Sequence, residues 1–128
     1  MAMQVPDTLL YSTDHEWADV TGPVARVGIT DYAQDALGDV VFVDLPKVGT
    51  VVAVGDTIGE VESTKSVSEI YAPLAGTITA VNDNLVSAPE AINASPYGEG
   101  WLCEITLDGD GGASSLLAAA AYLELTTH

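Results

Sequence analysis

Few side chains in this sequence combine the types and spacing that chemistry needs, and the most promising is an amine. In Glu60-Val61-Glu62-Ser63-Thr64-Lys65-Ser66-Val67-Ser68-Glu69-Ile70 a lone lysine stands among short hydroxyl residues. Such hydroxyls bond to their own backbone and favour turns. The flanks, residues 57–62 and 67–71, interleave β-branched with polar residues, as half-buried strands do. The stretch therefore predicts a β-hairpin with Lys65 at or near its tip, the only positive charge after Lys47. An exposed amine is protonated at neutral pH and is a poor nucleophile. It is nevertheless a good attachment point. A modifying enzyme can recognise the hairpin's shape, and a rigid scaffold then presents the attached group to a docked partner at high effective concentration. Most turn lysines merely solubilise; the symmetry of the surrounding sequence sets this one apart.

Other chemistry is thin. His15 and His128 are the only histidines, and neither has metal-ligand spacing to the other or to Cys103, so no metal site is expected. There is no nucleophile elbow or phosphate loop. The single cysteine excludes an internal disulfide, and its strand-like surroundings predict a buried, inert thiol. Asp14-His15-Glu16-Trp17 admits two readings, the lining of a cleft or a strand edge with a packed tryptophan. No catalytic residue is expected.

The elements that must position Lys65 can be read in order. Residues 1–8 look like a loose leader. Residues 9–11, 17–20, 24–29 and 40–45 read as strands. Residues 30–38 read as a short helix, capped by Thr30 and ended by Gly38. The chain then repeats itself. Residues 43–56 align with residues 70–83, with identical pairs Pro46/Pro73, Gly49/Gly76, Thr50/Thr77, Ala53/Ala80, Val54/Val81 and Asp56/Asp83. Neither copy can bury its apolar face alone, but two facing copies can. The expected fold is mainly β: a barrel-sandwich hybrid, a flattened β-barrel of two pseudo-twofold repeats with Lys65 in the hairpin between them. Residues 93–100 read as a loop, residues 101–107 form a last strand, and residues 113–125 are expected as one helix facing inward through Leu116, Leu117, Ala120, Leu123 and Tyr122. The whole, residues 1–128, fits one domain with its core in residues 9–108.

A formal net charge of −16 repels nucleic acid and anionic lipid and attracts basic patches on other proteins. No run approaches a membrane span and no secretory signal is visible. A soluble monomer is expected.

Taken together, these motifs are similar to a known family. Glu62-Ser63-Thr64-Lys65 with Ile70-Tyr71-Ala72-Pro73, Gly28-Ile29-Thr30-Asp31-Tyr32, Gly38-Asp39-Val40-Val41-Phe42-Val43-Asp44-Leu45-Pro46, His15-Glu16-Trp17 and Ser95-Pro96-Tyr97-Gly98-Glu99-Gly100-Trp101 resemble the H proteins of the glycine cleavage system. The resemblance runs from about residue 11 to the C-terminal helix. It implies that Lys65 carries lipoate in amide linkage and that the protein is a carrier, not an enzyme. The carrier would take the aminomethyl group of glycine from the pyridoxal-phosphate decarboxylase (P protein) to the aminomethyltransferase (T protein). It would then be reoxidised by dihydrolipoamide dehydrogenase (L protein), after initial modification by a lipoyl ligase or lipoyl transferase. It also points to Glu62 and Gly49 for ligase recognition, though Gly49 is equally read as a purely backbone requirement. An arm cleft is implied at Glu16, Glu69 and Ala36. The compartment would be the bacterial cytoplasm, or the mitochondrial matrix for an organellar form. Lys47 and Cys103-Glu104 depart from the family pattern, away from the lysine hairpin. Three other readings compete. One is a lipoyl or biotinyl domain of a larger chain, disfavoured by Thr64-Lys65-Ser66 and the extra helices. The others are an H-like protein that relays lipoyl groups and an unmodified interaction module.

Overall fold

The computed structural model describes residues 4–126. Strands β1 (Leu10–Tyr11), β2 (Glu16–Thr21) and β3 (Val24–Ile29) lead to helix α1 (Asp31–Leu37) and then β4 (Val40–Asp44), β5 (Val51–Val52), β6 (Thr57–Ser63), β7 (Val67–Tyr71) and β8 (Gly76–Val81). Two one-turn helices, α2 (Asn84–Ser87) and α3 (Ala91–Ala94), precede β9 (Cys103–Leu107) and the C-terminal helix α4 (Ala119–Thr126). The strands form two antiparallel sheets, ordered β1-β2-β3-β9-β8-β5 and β4-β6-β7. Inward side chains of both, among them Val27, Val43, Val61, Ile70, Ile78 and Ile105, make one apolar core. Each is at least 95% removed from solvent, which stabilises the fold by about 1.5–3 kcal/mol per side chain.

The repeat takes the form its symmetry requires. The first strands of the two copies, β4 and β7, flank β6 in the small sheet. Their second strands, β5 and β8, pair through Val51↔Thr77 and Val52↔Gly76. The matched glycines nevertheless serve different needs. Gly49 adopts φ +96° with open space around it, so its requirement is conformational. Gly76 is buried against β9, where a Cβ would run into the Thr106 carbonyl oxygen.

Helix α1 begins and ends as its sequence predicts. The Thr30 side chain accepts from the Ala33 N–H, Asp31 stands in the first turn, and Gly38 closes the helix at φ +85°.

Three local expectations are corrected. Within the expected leader, the Gln4 N–H donates to Asp31 Oδ2 at 2.9 Å and its carbonyl accepts from the Tyr97 hydroxyl at 2.6 Å, so the segment is tied down from residue 4. The loop expected over residues 93–100 starts later, because α3 runs to Ala94. The C-terminal helix does not run from 113 to 125. Ala113–Ser115 is a 3-10 turn, and residues 116–118 precede α4. Leu117 forms an antiparallel bridge with Tyr11, which extends the large sheet at its β1 edge. The inward residues of α4 are Ala119 and Tyr122, whereas Leu123 is 42% exposed and Ala120 also faces solvent. Helix propensity is weak where the backbone can join a sheet edge and bury a tyrosine instead.

Candidate functional site

The tip of the β6–β7 hairpin is built by Ser63. Its backbone N–H donates to the Ser66 carbonyl at 2.8 Å, and its buried hydroxyl accepts from the N–H groups of Ser66 (3.1 Å) and Lys65 (3.3 Å). One side chain thus closes the turn. A second contact fixes the tip to the body of the protein, as the Thr64 N–H donates to the Asp39 carbonyl at 3.1 Å, just after α1. Lys65 is exposed at this anchored tip, its stem lying over Gly38, where an added Cβ would stand 3.5 Å from the lysine Cε. Among the described residues it makes no ion pair.

The chain leaving the tip forms one wall of a cleft of about 290 Å³. Ser66, Val67, Ser68 and Glu69 supply that wall; α1 supplies Tyr32, Ala33, Ala36 and Leu37; Asp14, His15 and Glu16 supply the third side. The three residues expected in an arm cleft, Glu16, Glu69 and Ala36, therefore share one cavity, although all three are far apart in sequence. No lysine or arginine lines it.

Glu16 is unlike the other acids. It is only 2% exposed and is held by the Ser12 hydroxyl at 2.7 Å and the Tyr71 N–H at 3.3 Å. Burial pushes its carboxyl up to about 7, and those two hydrogen bonds oppose the push only in part. Glu69 is exposed and accepts from the Tyr71 hydroxyl at 3.1 Å. His15 occupies a positive-φ position, φ 69°, at the end of the turn before β2. Its ring packs on Tyr32 with centroids 4.7 Å apart, and its Nδ1 lies 2.8 Å from the Tyr122 hydroxyl, which in turn lies 2.7 Å from Thr30 Oγ1. Burial holds the imidazole below the ordinary histidine range, with Asp14 pulling the other way. Both readings of the Asp14-His15-Glu16-Trp17 segment are thus partly right. Its first three residues line the cleft, while Trp17 is buried and donates its indole N–H to the Pro96 carbonyl at 2.9 Å.

An amine on an anchored hairpin beside an acid-lined cleft suits a covalent swinging-arm carrier, and comparison with known proteins agrees. The family model for glycine cleavage H-protein matches residues 9–128. The chain belongs to the glycine cleavage H-protein family. It is 54% identical over 125 residues to the glycine cleavage system H protein of Micrococcus luteus, covering 96% of this chain and 98% of that one. With the H protein of Mycolicibacterium smegmatis it shares 52% identity over 97% of this chain and 98% of the other. The crystal structure of a glycine cleavage system H protein from Mycobacterium marinum superposes with a TM-score of 0.86 at 44% identity, covering 94% of this chain and 97% of that one. The role of the family, and of this chain within it, is that of a non-catalytic lipoyl carrier in glycine cleavage. The relay and interaction-module readings are not favoured.

The remaining residues singled out in the sequence lie outside the H-protein cleft. Glu62 is exposed on β6 between Phe42 and Val67, next to the tip. Gly49 is not beside the tip. Val40 pairs with Ser63 and Asp44 with Glu60, so the chain runs away from Lys65 along β4, and Gly49 follows beyond with its N–H on the Ile78 carbonyl at 2.7 Å. Cys103 is fully buried, and burial pushes its thiol up to about 12. His128 lies outside the described residues. Among the described residues no group of histidine, cysteine and acidic side chains is placed to hold a metal, and no helix is long and apolar enough to cross a membrane. Sequence reasoning missed Ser12, Tyr32 and Tyr122 as parts of the site. Ser12, four residues before Glu16, had a local signal; Tyr122, 107 residues from His15, had none.

Proposed function

We propose that Lys65 is the residue through which this H protein carries lipoate, in amide linkage on its Nζ. The observation that supports this most is continuity: the residues following Lys65 are themselves the wall of the acid-lined cleft. When bound, lipoate would supply a dithiolane that takes up the aminomethyl group together with two electrons and is reoxidised after the group has left. The chain supplies position and shelter. Ser63 and the Asp39 carbonyl hold the attachment point still, while α1 and the β7 wall leave a slot beside it. A carried primary amine meets carboxylates at Glu16 and Glu69 and no competing cation, in a site partly withdrawn from water. Ala36 offers that amine no hydrogen bond and acts only as wall. Residues 1–128 then serve as a single lipoyl-carrier domain, a monomer. Its partners are a P protein, a T protein, an L protein and a lipoyl ligase or transferase. Its place is the bacterial cytoplasm, in keeping with its bacterial relatives. Glu62, three residues before the lysine, helps the modifying enzyme; for Gly49 the backbone requirement is the better supported role.

Lys65→Arg tests the assignment. It keeps the charge but removes the acylatable amine. Intact mass should show a lipoyl increment on the parent from its native source and none on the variant, with the melting temperature unchanged. Lipoate found on Lys47 of the variant would overturn the assignment.

A further inference from the structure

The outer face of the β4-β6-β7 sheet surrounds the Lys65 tip with two rows of unlike character. In the row nearest the tip, Phe42, Glu62 and Val67 stand directly across from one another. Phe42 is 53% and Val67 56% exposed. A register shift between Val40 and Phe42 breaks the β4 ladder, and Val41, 52% exposed, is left outward beside Phe42. A bulge can blunt an edge strand, but a polar residue would serve that purpose equally well. Here it brings two large apolar side chains into solvent near an amine. The next outward row is Asp44, Glu60 and Glu69, three exposed acids facing one another across adjacent strands. Like charges directly opposite destabilise a sheet, and no lysine or arginine lies on these three strands to offset them.

We propose that this face is the docking surface for the enzyme that acylates Lys65. That enzyme presents an apolar slot for Val41, Phe42 and Val67 and a basic rim for Glu62 and the Asp44-Glu60-Glu69 row. The inference rests on Lys65 being the lipoyl acceptor. Charge complementarity sets the sign of the partner's rim. Continuity with the tip selects the acylating enzyme among the partners. It alone must bring the Lys65 amine itself into its active centre, and so must cover the row beside it. A partner acting at the far end of the loaded arm is free to dock elsewhere. An apolar centre with a polar rim is also the usual anatomy of a protein interface.

The test is acylation of the full chain with lipoate by a lipoyl ligase, followed by intact mass. Phe42→Ala and Val67→Ala should each lower kcat/KM for acylation about tenfold, mainly through KM, the loss expected of a side chain that contributes about 1.4 kcal/mol to an interface. Val51→Ala, in the other sheet and 77% exposed, should leave it unchanged. Glu60→Gln should make kcat/KM less sensitive to added salt. Melting temperatures of all four variants should stay within a few degrees of the parent's, since each side chain is exposed and only strand propensity and cross-strand contact are lost. Acylation of Phe42→Ala and Val67→Ala at the parent's rate would overturn this proposal and leave the Lys65 assignment standing. Normal acylation combined with slower oxidation of the dihydrolipoyl variants by dihydrolipoamide dehydrogenase and NAD would overturn it too, assigning the face to a later partner. A parent chain that takes no lipoate at Lys65 would instead overturn the reading beneath it.

Discussion

Glu16 offers the sharpest test of the cleft, because its burial has a consequence for stability that can be worked through. The carboxyl moves from an ordinary 4.5 to about 7 on folding, chiefly by desolvation. A pKa raised in the folded state means that the native protein binds the proton more tightly than the unfolded chain does. Stability therefore falls as pH rises from about 4.5 to about 7, and the loss levels off above that window. At about 1.4 kcal/mol per pKa unit, the full loss is about 3 kcal/mol. Glu16→Gln removes the ionisable group. It keeps an amide oxygen for the Tyr71 N–H and can donate to the Ser12 hydroxyl, the two present partners of Glu16. The variant should gain stability over the parent steadily between pH 5 and 7, reaching roughly 10 °C in melting temperature for a chain of this size. Thermal melts followed by circular dichroism at half-unit pH steps measure this. The comparison must be the difference between the two proteins. His15, held below the ordinary histidine range, adds stability that is lost as pH falls, and that contribution is common to both. A difference that stays constant from pH 4.5 to 8 would show that Glu16 ionises as a surface acid and would refute the reasoning.

Once fully lipoylated and loaded with the aminomethyl group, isolated protein carrying Glu16→Gln with Glu69→Gln should release formaldehyde and ammonia faster than the parent; release at the parent's rate would mean these acids do not guard the arm. Glutamine is preferable to alanine here, because Glu16 is buried and hydrogen-bonded and its truncation would disturb the Ser12 turn and β7. Glu62→Ala should slow acylation by a ligase without lowering the melting temperature, since the side chain is exposed; equal rates would rule out a recognition role. Exchange of glycine carboxyl carbon with a P protein should weaken as salt is added, because a chain of net charge −16 meets basic surfaces through attraction that ions screen. A rate flat across ionic strength would show that those contacts are apolar.

What the sequence determined by itself was whatever depends on neighbours in the chain. The Ser63-Thr64-Lys65-Ser66 turn, the alternation on β6 and β7 and the Thr30 and Gly38 boundaries of α1 are local, and each stands where its residues predict. The internal repeat was legible too, because two copies of one pattern have one way to cover each other. Tertiary structure decided the rest. Gly49 and Gly76 occupy matching repeat positions, yet only packing made one a matter of φ and the other a matter of space against Thr106. The helix-prone C-terminal segment yielded residues 116–118 because Leu117 found a partner in Tyr11 at the sheet edge. Glu16 reads as one acid among many in the sequence. Its buried state, its shifted carboxyl and its place across a cleft from Glu69 exist only because β2, α1 and β7 converge on it. Desolvation depends on everything around a group, and residues distant in the chain supply most of what surrounds this one.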